Sequence, residues 1–175
     1  MKFKKIIFAT SLLIVVLFCN SVYAQSKSKE ALGKAMIASI QNDDLHSFKA
    51  LLLPKEVVLK YQYNHDLENT DQQTRDSLIS EHEAAYDHKV IPRYEEKFKQ
   101  MVKLNQASNV NWSHLNFLIL YKAESKGEEY IPFFIDTKLN HSDYRHFYFD
   151  AVRYKGEWYF SGNMELTKGE KYALK

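Results

Sequence analysis

Cysteine is almost missing from this chain of 175 residues, with Cys19 the only one. It falls inside the first 24 residues, which read as an export signal. The rest of the chain can therefore form no disulfide, no thiolate metal site and no cysteine nucleophile. Glycine and proline are scarce as well, at five and three residues. Neither a Gly-rich phosphate loop nor a Gly-x-Ser-x-Gly elbow occurs, which sets aside nucleotide-dependent enzymes and elbow-type serine hydrolases. Runs of like charge are absent too. Lys2, Lys4 and Lys5 leave with the signal, so 21 basic residues meet 22 acidic ones and the formal charge moves from +2 to −1. Nucleic acid and anionic membranes both need clustered Lys and Arg, so neither is expected as a partner.

Long apolar runs are equally lacking. After the three lysines, Ile6 to Cys19 supply about 14 apolar residues, short of the ~18 or more that a bilayer span requires. Asn20 and Ser21 follow, then Val22-Tyr23-Ala24, a small-residue cleavage pattern. The expectation is a secretory signal over 1–24, cut before Gln25, and a secreted or periplasmic protein with no membrane contact after cleavage. Phe18 stands where a lipobox wants Gly, Ala or Ser, so lipidation at Cys19 is kept only as an alternative. Residues 25–175, 151 in all, suit a single domain.

What is present is aromatic surface and two clear periodicities. Leu32, Ala35, Met36, Ser39 and Ile40 recur at helical spacing. Asp43 or Asp44 can cap a second helix whose Leu45, Phe48, Leu51 and Leu52 share a face, with Pro54 ending it. Residues 54–63 predict a short helical turn running into extended chain. Thr70 and Gln73 fit a capping box opening a long helix, with Leu78, His82 and Ala85 on its apolar face and Tyr94, Phe98, Met101 and Val102 continuing it. Pro92 predicts a kink or break near 88–92, because its ring crowds the carbonyl four residues back.

Beyond Asn111 the period changes to two. Leu115, Phe117, Ile119 and Tyr121 alternate with polar and apolar neighbours, Gly127 marks a turn, and Ile131, Phe133 and Ile135 follow. Pro132 predicts an edge position or a bulge. Two more strands, 146–154 and 158–162, meet around Lys155-Gly156. That hairpin would place Phe147, Phe149, Ala151, Trp158 and Phe160 on one face, and Asp150, Val152, Tyr154 and Tyr159 on the other. Helices first and an antiparallel meander last predict an α+β fold, with N-terminal helices packed on a sheet of about four strands.

The run AMIASIQNDDLHSFKALLLP resembles the opening helical pair of the nuclear-transport-factor-two-like (SnoaL-like) superfamily, and YFDAVRYKGEWYFSGN resembles its closing hairpin. The resemblance implies a bent, cystatin-like sheet wrapped around the helices as a cone with an opening, often dimeric through the sheet. Members include isomerases, cyclases, dehydratases and many noncatalytic domains, so the fold alone selects no function.

His82-Glu83-Ala84-Ala85-Tyr86 approximates the zinc-protease HExxH, but Tyr86 replaces the second histidine and a phenol is a poor ligand near neutral pH. The plainer reading keeps His82 and Tyr86 at the apolar edge of a helix with their polar tips bonded. His82, His88, His114, His141 and His146 lack zinc-site spacing, and His65 reads as a loop residue, so no metal and no cofactor is expected. Asp150, set between Phe149 and Ala151, is the most unusual acid. With Tyr86, Tyr121 or Tyr148 as oxyanion donor, Asp150 or His82 could serve an acid–base enzyme. An aspartate on a solvent-facing side needs no such role. Aromatic strand surface exceeds what one sheet face can hide. The leading expectation is therefore a noncatalytic exported domain that binds a small apolar ligand or a protein partner, with Tyr86, Tyr121, Tyr148 and Trp158 as binding residues and a homodimer through the sheet as a further partner.

Overall fold

The computed structural model describes residues 26–62, 70–108, 110–123, 129–140 and 143–169. The signal segment with Cys19, and His65, Gly127 and His141, lie outside the described residues. Helix α1 (Lys29–Asn42) opens where the Ser28 hydroxyl accepts from the Ala31 amide at 3.1 Å. It ends where Asp43 takes a left-handed φ of 53° and turns its N–H back onto the last turn. Asp44, the second of the two expected caps, then accepts from the Ser47 amide and hydroxyl and starts α2 (Leu45–Lys49). The serine donors hold the Asp44 carboxyl below the usual carboxylate range.

That second helix is shorter than its apolar spacing suggested. It stops at Lys49, and Leu51 to Leu53 run along strand β4 (Glu157–Thr167), where Phe160 N donates to Leu51 O and Leu53 N donates to Phe160 O. Extended chain is favoured directly before Pro54, and here it gains two ladder bonds as well as burial of Leu52 and Leu53. Helix α3 (Lys55–Gln62) follows. Helix α4 (Gln72–Ala85) is capped by Asp71 and not by Thr70: its carboxylate accepts from both the amide and the hydroxyl of Thr74. A charged acceptor bonding two donors outcompetes a neutral capping box.

The interruption expected at Pro92 is a π turn, Tyr86–Val90, from which α5 (Ile91–Ala107) continues with Pro92 in its first turn. The Ile91 amide reaches back to Tyr86 O, one residue further than in an α-helix. Widening the turn lets the proline ring sit where no intrahelical donor is needed, so the chain bends without breaking.

Strands β1 (Asn116–Lys122), β2 (Tyr130–Lys138), β3 (His146–Tyr154) and β4 form one antiparallel sheet in sequence order. The β3–β4 turn has positive φ at both Lys155 (49°) and Gly156 (86°), the mirror-image geometry that matches strand twist. Tyr154 then pairs with Glu157 and Arg153 with Trp158, and the hairpin faces divide as the alternation required. Pro132 is on an inner strand, against the edge placement expected of it. Its carbonyl accepts from Ala123 N, so its nitrogen also faces β1, just past Lys122, the last β1 residue, and the missing donor falls where that strand has ended.

Alternation fails in β1. Ile119 pairs with Ile135 but Tyr121 pairs with Phe134, so Leu120 is an extra residue and Tyr121 passes to the face opposite that of Phe117.

Helices α1, α2 and α5 cover one sheet face. Leu32, Met36, Ile40, Phe48 and Phe98 pack there against Phe117, Ile135, Phe147, Phe149, Phe160 and Met164. A second cluster occupies the other face at one end, where Leu53, Val57, Val58 and Tyr86 meet Tyr130, Val152 and Tyr159. Among the described residues no helix is long and apolar enough to cross a membrane.

Candidate functional site

Period two places His146, Tyr148 and Asp150 on the β3 face opposite Phe147 and Phe149, and antiparallel pairing brings Asp136 beside Tyr148 and Phe134 beside Asp150. On this outer face Tyr148, only 2% exposed, stacks against Phe134 at 5.7 Å and lies parallel to His146 at 5.4 Å. His146 Nδ1 is 3.0 Å from each Asp136 carboxylate oxygen, and both residues are buried. In the tautomer that carries its proton on Nδ1, His146 donates to that carboxylate. This pair was not legible in the sequence. The only signal was parity along two strands, and parity shows a shared face without showing a contact.

Asp150 serves the backbone of β4. Phe149 pairs with Met164 and Ala151 with Phe160, so Ser161, Gly162 and Asn163 lie opposite Asp150 alone. Its Oδ2 accepts from Asn163 N at 2.9 Å and Asn163 Nδ2 at 3.0 Å. A side chain at Gly162 would overlap that same oxygen, which is why a glycine stands there. From α5, Lys97 Nζ donates to Asn163 Oδ1 at 2.8 Å and the Tyr94 hydroxyl to Ser161 O at 2.9 Å. The irregular stretch of β4 is thus fixed from two sides.

A cleft of about 390 Å³ opens above it, lined by Lys97, Phe134, Tyr148, Asp150, Asn163, Met164 and Glu165. Of the residues singled out from sequence, Tyr148 and Asp150 meet here. Tyr86 is buried in the second cluster, its hydroxyl donating to Leu53 O at 3.3 Å. Trp158 packs on Phe133 at 4.6 Å on the helix-side face. Tyr121 is 63% exposed on β1, and His82 is half-buried on α4. None of these four lines the cleft. A more open groove of about 550 Å³, with Lys34, Ile37, Gln41 and Trp112 in its wall, lies between α1 and residues 110–115. Among the described residues no group of three or more metal-ligating side chains converges.

The Tyr159 phenol has its pKa pushed up to about 12 by burial and by its hydrogen bond to Glu157. It sits in the second cluster, away from the cleft lining. Comparison of the chain with protein-family models, curated proteins and solved structures gave no match.

Proposed function

We propose that the protein is an exported, noncatalytic binding domain of nuclear-transport-factor-two-like type, and that its ligand is a small molecule with an apolar body and one polar end. The observation that carries this reading is the cleft on the outer sheet face. Phe134, Tyr148 and Met164 supply an apolar wall, and Lys97, Asn163 and Glu165 a polar one. Its volume of about 390 Å³ is in the range of small-molecule sites. Asp150 supports a noncatalytic role because its Oδ2 is already bonded twice to Asn163.

The probe 8-anilinonaphthalene-1-sulfonate has the required shape and charge. Saturable binding to the folded protein, weakened at least about tenfold by Phe134→Ser, is the expected result. Absence of saturable binding would remove the proposal. A second reading, an acid–base enzyme using Asp150, is favoured by one fact, that Tyr148 lines the same cleft. It requires that a bound ketone exchange its α-protons with solvent and that Asp150→Asn stop the exchange. The binding reading requires that the ketone be recovered with its isotopic label intact.

A further inference from the structure

We infer that the groove between α1 and residues 110–115 is a second binding site, and that it takes a small aromatic carboxylate. The inference does not rest on the cleft of the outer sheet face.

Helix α1 presents two different stripes. Leu32, Met36 and Ile40 enter the core, whereas Lys34, Ile37 and Gln41, spaced three and four residues apart, run along the groove. Ile37 is buried at the rim of the core, and Lys34 and Gln41 on either side of it are exposed. The space of about 550 Å³ is in the range of small-molecule sites.

The opposite wall is irregular chain held by its own hydrogen bonds. Trp112 Nε1 donates to Asn105 Oδ1 on α5 at 2.8 Å, and its ring meets that of Phe147 at 89° with centroids 5.6 Å apart. Asn111 Oδ1 accepts from Ser113 N at 2.9 Å and from Ser113 Oγ at 2.6 Å. Those two bonds fill the carbonyl lone pairs, and the Nδ2 group is left with two N–H donors and no acceptor among the described residues. A half-buried indole and a fixed amide donor therefore stand on one wall before any ligand arrives.

The charge of the groove has one sign. Lys34 is its single charged lining residue, and neither Lys34 nor Gln41 has a partner among the described residues. No carboxylate lines it. One cation flanked by neutral amide donors matches a monoanion. A phosphate dianion would leave one charge unanswered, and an ammonium group would meet its own sign. Ile37, Val110, Trp112 and Leu115 supply apolar wall for the flat body that carries the acid.

Titration of the purified protein with 4-fluorobenzoate, followed by fluorine NMR, should give saturable binding. Lys34→Gln and Gln41→Glu, both at exposed helix positions, should each weaken it by about threefold or more, and the uncharged 4-fluorobenzamide should bind the unsubstituted protein less well by a similar factor. Phe134→Ser, in the outer-face cleft, should leave the affinity unchanged. Absence of saturable binding overturns the inference. So does binding that both α1 variants leave intact, or that Phe134→Ser abolishes, since the acid must then sit elsewhere.

Discussion

At the scale of single residues, Thr137 carries a hydroxyl into the core. It is 0% exposed, its Oγ1 has no hydrogen-bond partner among the described residues, and it stands between Phe117 and Phe147 in register. Burying an unpaired hydroxyl costs about 1–3 kcal/mol, so Thr137→Val, which keeps the shape, should raise stability by about 1 kcal/mol in a urea melt. Tyr159 sets an alkaline limit. The folded state favours the neutral phenol, so below pH 10.0 the group is neutral in both states, and between 10.0 and about 12 only the unfolded chain ionises. Stability should therefore fall as pH rises through that window. Tyr159→Phe should make the decline shallower, as followed by the urea midpoint at successive pH values.

At the scale of elements, close approach decides what propensity alone would misjudge. Gly33 lies in α1, where alanine would ordinarily gain up to about 1 kcal/mol. A Cβ there would overlap the ring of Phe117, which is 5% exposed and held by packing on Phe149 at 6.5 Å. Overpacking costs about 1–3 kcal/mol, so Gly33→Ala should lower the melting temperature despite its better helix propensity. A rise in Tm would mean that α1 can move away from β1. The π turn is likewise a tertiary decision. Pro92 announced an interruption, but Tyr86 reaching Leu53 O and Phe98 stacking on Phe48 at 4.9 Å hold the two helical segments on one body.

For the whole molecule, the sheet is covered on both faces, by three helices on one side and at one end by the second cluster on the other. Ile91 packs on both clusters, and Leu52 and Leu53 divide between them. The two cores should melt together. Val58→Ala in one and Ile40→Val in the other should each lower a single thermal transition, with costs of about 1–3 and 0.5–1.5 kcal/mol, and the double variant should be additive. A separate early transition in the Val58 variant would show that the second cluster folds independently.

The sequence by itself determined the α+β order, the faces of the closing hairpin and the position of the helix interruption, because these follow from local rules: period 3.6 against 2, the fixed φ of proline, and a Lys-Gly turn. It also brought Asp150 forward as an acid set between Phe149 and Ala151, and Tyr148 as one of three candidate tyrosines. It could not show that Asp150 pins Asn163, that Asp136 meets His146, or that Leu51 to Leu53 leave a helix to close the edge of β4. Those depend on register and on which distant backbone groups lack partners, and both quantities exist only once the strands have found one another.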